Sequence, residues 1–329
     1  MLKLFERNTV FQVAFIIVAI VLLWYKAFTD PVPMEPDGHF APLYDLLCSL
    51  SLSPTLSVVI AMLLVASSAF FFNLMLTNAG LASQNSLLPT LLFITAASAT
   101  SPSLSPSLIA SLITIAVVNM LLLRSTLLTV SSDKIFGAAA LIGIASMFYL
   151  PSLTLIVAYL LIAVNYRLYS WRDWMVFLLG LLAPYLLLWS VQLFTGGLLP
   201  GFHAIAQDFA SISLSFGDFT PLQAVANGVL LVIFAISLFI VWRRLGEKTI
   251  VWQKNATTVM LITLAALAML PLRQLFPANL QFFAIPFAFC TTQRLGLIPR
   301  SNFNTQRSSW RVRLYDLLLI LIIVAAVLC

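Results

Sequence analysis

Long apolar stretches separated by short polar segments run along almost the whole chain. Stretches of this length and hydrophobicity are typical of helices that cross a membrane. They lie at about 10–28, 55–76, 87–100, 106–123, 135–149, 151–166, 174–195, 221–242, 256–271, 278–292 and 314–328. The pattern therefore predicts an all-α integral membrane protein with about eleven transmembrane helices.

Two regions complicate the count. Residues 136–166 are too long for one span and short for two, because a straight helix needs about 20 residues to cross the hydrocarbon core. Pro151 near their middle predicts a sharp hairpin, since proline disfavours helix at the preceding residue and suits a helix start. The stretch 87–100 is also short, which favours a helix surrounded by protein. Ten spans remain the alternative, with 136–166 or 278–292 miscounted.

Composition agrees with lipid as the main solvent of this chain. Hydrophobic residues make up 61% of the 329 residues and charged residues only 9%, against roughly a quarter in soluble domains. Such a chain lacks the polar residues needed to cover a surface in water. Residues 1–329 are expected to form a single polytopic membrane domain with two long outer loops, about 29–54 and 196–220.

The charges give the predicted spans an orientation. If the N-terminus is cytoplasmic and the spans alternate, every basic residue except Lys26 and Arg273 falls on the cytoplasmic side, as the positive-inside rule requires. The expected topology is N-terminus in and C-terminus out. This rule also accounts for the net charge of +6, so no nucleic-acid partner is expected, and membrane lipids are the expected surroundings.

Both outer loops carry apolar residues at helical spacing. The pattern predicts two interfacial helices on the outer face, each with its apolar side towards the lipid. For the second loop, a segment that merely covers the bundle is an equal alternative. The apolar positions are Leu43, Leu46, Leu47 and Leu50 in the first loop and Phe202, Ile205, Phe209, Ile212 and Phe216 in the second.

Arg273 is the most unusual charge, because it lies at the outer end of one span and the start of the next. An arginine there can hold a phosphate or carboxylate in a bidentate fork, and Gln274 beside it is a second candidate ligand. The alternative is an arginine that reaches the outer headgroups or pairs with an acid of an outer loop.

Acidic residues of the first outer loop are the natural counterpart of Arg273. Asp30 follows the first span directly, and Glu35 and Asp37 lie in a proline-rich segment. Asp30 or Asp37 can act as general base towards an acceptor hydroxyl or amine, while Glu35, His39 and His203 are candidate substrate ligands. No cofactor and no metal motif are predicted, although these acids can also bind a divalent cation. The alternative is that these acids belong to a solvated loop without a site, and this alternative fits Glu35 better than Asp30.

The layout of these elements resembles the membrane-embedded glycosyltransferases of the GT-C type, which use polyprenyl-phosphate sugars. The shared features are the acidic start of the first loop, an interfacial helix, short paired spans and the late outer arginine. The resemblance implies that Asp30 or Asp37 is the catalytic base and that Arg273 holds the lipid phosphate. The chain departs from that family in its short length and in lacking a soluble outer domain and paired acids.

A second resemblance covers nearly the whole chain. The segments that carry it are 4–8, 85–89, 136–151 and 172–174. They are similar to an uncharacterised family of polytopic inner-membrane proteins of Bacteroidota. This resemblance implies a multi-pass protein of the bacterial inner membrane and assigns no chemistry.

Three classes of function are compatible with these features. The first is a GT-C-like glycosyltransferase or another enzyme of the cell envelope that handles a lipid phosphate. The second is a non-catalytic membrane subunit or assembly factor, whose protein partners the sequence does not identify. The third is a transporter or lipid flippase, which charges inside the spans would favour.

Overall fold

The computed structural model describes residues 9–34, 40–83, 86–98, 103–123, 130–168, 170–195, 221–269 and 281–296. Most of these residues are helical and none lies in a strand, which confirms the all-α prediction. Five of the helices are long and apolar enough to cross a membrane, as expected of an integral membrane protein. They contain Val10–Thr29, Pro54–Asn78, Trp171–Phe194, Gly228–Glu247 and Ile250–Met269.

The described α-helices follow the apolar stretches of the sequence. Ten of the predicted stretches coincide with helices, and 314–328 lies outside the described residues. In chain order the helices are α1 (Thr9–Thr29), α2 (Pro42–Ser49), α3 (Pro54–Asn78), α4 (Leu88–Ser98), α5 (Pro106–Leu121), α6 (Ser132–Phe148), α7 (Leu155–Tyr166), α8 (Trp171–Thr195), α9 (Pro221–Arg244), α10 (Ile250–Met269) and α11 (Ala284–Gly296). There are also three short 3₁₀ turns. One precedes α7 (Leu150–Thr154), one follows α9 (Leu245–Glu247) and one precedes α11 (Gln281–Phe283).

Proline positions explain several helix starts. Pro42, Pro54 and Pro106 each occupy the first turn of a helix, where the missing N–H removes no helical hydrogen bond. The Ser105 hydroxyl also caps α5 by accepting a hydrogen bond from the Leu108 N–H over 3.2 Å, as an N-cap serine does. The starts of these helices are therefore encoded locally.

The long region 136–166 forms two helices, as the proline predicted. α6 ends at Phe148, and Tyr149 has an extended backbone with φ −149° and ψ 102°. The 3₁₀ turn Leu150–Thr154, with Pro151 in its first turn, then leads into α7. The turn at Pro151 therefore divides the apolar run into two helices instead of one long helix.

The short helix α4 is surrounded by protein. All of its 11 residues except Ala96 are buried, and it packs against α1, α3 and α11. A helix of this length rises about 16 Å, roughly half the hydrocarbon thickness. Its burial confirms the expectation that other helices shield this stretch from lipid.

Helix α11 is the second buried helix. From Gln281 to Thr292, including the preceding 3₁₀ turn, every residue is buried. It packs against α4 on one side and against α9 and α10 on the others. By contrast, α8 exposes a long apolar face that includes Leu179 and Leu187, as expected of a helix at the lipid-facing side.

The predicted helix in the first outer loop is present as α2. Tyr44 is buried on one side of it, whereas Leu46 lies 61% exposed on another, together with the equally exposed Leu50 that follows the helix. Phe40 precedes α2 and packs with Met147 in a small cluster. The second predicted interfacial helix, in 196–220, lies outside the described residues.

Candidate functional site

Asn255 joins three chain segments at one end of the bundle. Its side chain is fully buried on α10. The amide oxygen accepts from the Leu123 N–H over 2.8 Å, and the amide nitrogen donates to the carbonyls of Leu123, over 2.8 Å, and Ala79, over 3.2 Å. One side chain therefore pairs with the backbone after both α3 and α5, where helical hydrogen bonding stops.

Two glutamines bind loop backbone at the same end. Gln12 on α1 accepts from the Leu87 N–H over 2.9 Å. Gln293 on α11 donates to the Leu81 carbonyl. The connection between α3 and α4 is therefore held by one side chain from α1 and one from α11.

Basic residues collect at this same end. Lys134, Arg167, Arg172, Arg243, Arg244, Lys248, Lys254 and Arg294 all lie on helix ends or connections that meet there. Among the described residues, Lys26 is the one cation near the opposite end. We call the end that contains Asn255 and these cations the basic end, and the opposite end the Asp30 end. This separation agrees with the charge pattern that the sequence predicted.

Buried polar groups connect the helices at the Asp30 end. The Trp24 indole N–H donates to the Ser98 hydroxyl over 3.0 Å, joining α1 to the end of α4. The Tyr44 hydroxyl on α2 donates to the Leu104 carbonyl over 3.2 Å, just before α5. The short loop helix α2 is therefore attached to the bundle by a buried hydrogen bond.

A second polar contact lies between α5 and the turn before α11. The Ser107 hydroxyl donates to the Gln281 amide oxygen over 2.9 Å, and both residues are buried. The 3₁₀ turn Leu150–Thr154 carries Ser152, whose hydroxyl is buried with no hydrogen-bond partner within the described residues. The Tyr149 ring stacks on Phe282 at 6.1 Å between ring centres. The Asp30 end thus contains buried hydroxyl and amide groups among aromatic rings.

Of the predicted site residues, the structure describes Asp30. This residue follows α1, and its N–H donates to the Lys26 carbonyl over 3.0 Å, as in a last helical turn. Its side chain is exposed, so water or a ligand can reach the carboxylate. The other candidates lie outside the described residues: Glu35, Asp37, His39, His203, Arg273 and Gln274.

Acidic residues in the described part of the chain all lie at or beyond helix ends. Asp30 and Asp45 belong to the Asp30 end, and Asp133, Asp173 and Glu247 to the basic end. The Asp173 carboxylate accepts from the Ser170 hydroxyl over 2.6 Å. Within the described residues, no three of the metal-binding side chains His, Cys, Asp and Glu come together. The acids of the first loop that can bind a divalent cation, Glu35 and Asp37, are not among these residues.

Sequence analysis missed the most connected polar residues of the bundle. Gln12 lies inside an apolar stretch, and its polarity there was a signal that could have been used. Asn255 directly follows Lys254, just before an apolar stretch. In the sequence it therefore looks like one more polar residue of an exposed helix end. Only the packing of α10 against the ends of α3 and α5 shows that this amide is buried.

Comparisons with known proteins add no relative. The chain matches no protein-family model, and no curated protein or solved structure is significantly similar to it. Function must therefore be inferred from the residues and their arrangement.

Proposed function

We propose that this chain is a multi-pass protein of the bacterial inner membrane that handles a polyprenyl-phosphate-linked substrate at its Asp30 end. The reaction we favour is GT-C-like transfer of a sugar to an acceptor. The supporting observation is the separation of the two ends. The described cations except Lys26 lie at the basic end, and the exposed Asp30 lies at the opposite end, which also contains the buried Ser107–Gln281 contact.

The proposed topology has eleven spans, with the N-terminus in the cytoplasm and the C-terminus outside. Basic residues are retained on the cytoplasmic side during insertion, so the basic end is the cytoplasmic end. The Asp30 end then faces the periplasmic side, where α2 and the segment 196–220 are the proposed interfacial helices.

Reporter fusions test this topology. Fusions after Arg124, Arg172 and Lys248 should report a cytoplasmic location, because each site lies at or next to the basic end. A fusion after Ser51, between α2 and α3, should report the periplasm and serves as the control. Paired alkaline phosphatase and green fluorescent protein fusions give opposite signals on the two sides. A periplasmic signal after any of the first three residues would contradict the topology.

The proposed chemistry divides the roles between Asp30 and Arg273. Asp30 accepts the proton of the acceptor hydroxyl or amine as general base, with Asp37 as the alternative base. Arg273 binds the lipid phosphate through its planar fork. Gln274, Glu35, His39 and His203 are proposed to contact the substrate.

Chain connectivity supports placing Arg273 at the Asp30 end. The buried residues Met269 and Gln281 flank the segment 270–280, and both belong to this end of the bundle. Arg273 is four residues after Met269, so their Cα atoms lie within about 15 Å of each other. The proposed phosphate ligand and the Asp30 carboxylate are therefore expected on the same side of the membrane.

The distribution of acidic residues favours this proposal over proton-coupled transport. Proton carriers place acidic groups within their spans, where they form a pathway. In the described part of the chain, the acids lie at or beyond helix ends. A non-catalytic membrane subunit remains the competing class, and an assay of sugar transfer distinguishes the two.

Substitutions at the two proposed residues test the chemistry. The full chain, purified with native lipids, is assayed for binding of undecaprenyl phosphate and for transfer from undecaprenyl-phosphate sugars. Asp30→Asn should retain lipid binding and lower turnover by about 10²–10⁴-fold, the usual contribution of a general base. Arg273→Gln should weaken phosphate binding about tenfold, because a charged bidentate contact is lost.

Matched controls use other charges of the same end. Asp45→Asn and Lys26→Gln remove charges at the Asp30 end and should change binding and turnover less than about twofold. If the wild-type chain binds the lipid phosphate but transfers no sugar, the subunit class is supported and the enzyme proposal fails. Absence of specific binding to undecaprenyl phosphate would contradict the proposed substrate.

A further inference from the structure

Arg294 differs from the other described arginines of the basic end, all of which are exposed. It lies on the last turns of the buried helix α11, is only partly exposed, and reaches towards α9. Its Nη1 donates to the Ser237 hydroxyl over 3.5 Å. Ser237 precedes Arg244, the last residue of α9, by seven residues, which places it about 10 Å deeper along the helix.

The described residues satisfy few of the hydrogen-bond donors of the Arg294 guanidinium and none neutralises its charge. Its Nε is buried and has no hydrogen-bond partner within the described residues. The Ser237 hydroxyl that it contacts already donates to the Ile233 carbonyl over 2.7 Å. A guanidinium has five N–H donors, and a partly buried cation without an anionic partner is energetically unfavourable. The arrangement therefore favours an anion beside Arg294.

The surroundings indicate an anion at the level of lipid headgroups. Arg243 and Arg244 are exposed on the last turn of α9, and the Arg243 guanidinium lies 4.8 Å from the centre of the Phe239 ring. Phe239 is 58% exposed and Trp242 is 64% exposed. Exposed aromatic side chains next to cations are typical of the membrane interface, and basic pockets between helices on the cytoplasmic side suit anionic lipid heads.

We infer that the contact between α9 and α11 at the basic end binds the phosphate of an anionic phospholipid, with Arg294 as the deep ligand. Arg244, seven residues after Ser237 and on the same face of α9, forms the rim of this site. The exposed apolar residue Ile236, next to Ser237, provides a surface for an acyl chain. This site is separate from the proposed catalytic site, since it lies at the opposite end of the bundle.

Lipid-dependent stability tests the site without any activity assay. The full chain is placed in nanodiscs of phosphatidylcholine alone or with phosphatidylglycerol, and its melting temperature is measured in both. Phosphatidylglycerol should raise the melting temperature of the wild type, because a ligand of the folded state stabilises it. Arg294→Gln should remove most of this increase, and Arg294→Lys should retain part of it. Arg172→Gln, which changes an exposed cation of the same end on α8, is the matched control and should retain most of it.

Native mass spectrometry gives an independent measurement of the same site. The fraction of protein that carries phosphatidylglycerol should fall about tenfold in Arg294→Gln and less than about twofold in Arg172→Gln. A wild type that retains phosphatidylglycerol no better than phosphatidylcholine overturns the inference. So does an Arg294→Gln variant that keeps the full lipid-dependent increase in melting temperature.

Two further arms separate the lipid from other anions. Inorganic phosphate added to phosphatidylcholine nanodiscs should not reproduce the increase; an equal increase would indicate a soluble anion and overturn the lipid assignment. Glu6 and Asp316 lie outside the described residues, Glu247 follows α9 at the basic end, and each of these acids could neutralise Arg294 instead. Each acid is replaced by its amide (Glu6→Gln, Glu247→Gln and Asp316→Asn), which should leave the melting temperature in phosphatidylcholine alone unchanged. A fall there, together with a larger increase on adding phosphatidylglycerol, would assign the partner to the chain itself.

Discussion

Replacing Gly180 with alanine should strongly lower the stability of this protein. A Cβ at Gly180 on α8 would lie 2.6 Å from the Phe136 carbonyl oxygen and 2.9 Å from the Ala139 Cβ. Backbone atoms cannot rotate away, so α6 and α8 would have to separate. Overpacking of this kind costs about 1–3 kcal/mol, which corresponds to several degrees in melting temperature.

Gly143 makes the reciprocal contact from α6 to α8. A Cβ there would lie 2.8 Å from the Leu181 carbonyl oxygen and 3.0 Å from the Pro184 Cγ. The two glycines allow the helix backbones to approach closely, as small residues do between membrane helices. Separation of the helices would also lengthen the buried hydrogen bond between the Ser146 and Tyr185 hydroxyls, now 2.6 Å. Gly143→Ala should therefore destabilise this helix pair as well.

Gly137→Ala is the matched control for both substitutions. It lies on the same helix α6, but its new Cβ would meet the flexible Met120 side chain at 3.7 Å, an ordinary contact. Alanine also favours a helix over glycine by up to about 1 kcal/mol, so the control should melt at the wild-type temperature or higher. The measurement is thermal unfolding of detergent-solubilised protein, followed by size-exclusion fluorescence. Equal melting temperatures for Gly180→Ala and Gly137→Ala would show that the close approach of α6 and α8 does not limit stability.

Asn255→Ala should produce the second large loss of stability. The substitution removes three buried hydrogen bonds and leaves the Leu123 N–H and the carbonyls of Leu123 and Ala79 without the amide that now binds them. Each buried group left unpaired costs about 1–3 kcal/mol. The total is a large share of the roughly 5–15 kcal/mol that stabilises a typical folded domain. We expect low yields of folded protein and a strongly lowered melting temperature.

The chemistry of the amide predicts a further distinction at this position. Asn255→Asp retains an oxygen for the Leu123 N–H, but its other oxygen would face the two carbonyls that now accept hydrogen bonds. The aspartate variant should therefore be no more stable than the alanine variant. Asn165→Ala is the control, since Asn165 makes a single long hydrogen bond of 3.4 Å to the Lys254 carbonyl. A wild-type melting temperature for Asn255→Ala would contradict the central role of this amide.

Several features of the fold could be predicted from local sequence. The apolar stretches identify ten of the helices, and Pro151 divides the region 136–166 as expected. The spacing of Leu43, Leu46 and Leu47 predicted the short helix α2. These predictions succeed because helix starts, breaks and hydrophobic faces depend on neighbouring residues.

Less of the candidate site than of the fold could be predicted from the sequence. Asp30 was identified from its position after the first apolar stretch, and the structure finds it exposed at the end of α1. Its pairing with Arg273 stays a prediction, because Arg273 lies outside the described residues. The depth of Arg294 was missed, since in the sequence it is one more cation after an apolar stretch. The packing of α11 between α4, α9 and α10 makes it distinctive.

The sequence by itself determined the helical class, most helix positions and the side of the bundle on which the cations lie. It did so because hydrophobicity and charge are properties of single residues, which act on membrane insertion one segment at a time. Tertiary structure alone decided that α4 is surrounded by protein, that Gly143 and Gly180 each lie against the backbone of the other helix, and that Asn255 joins α3 to α5. These features depend on which helices become neighbours. That choice is made by close packing and by the pairing of buried polar groups, both of which join residues far apart in the chain.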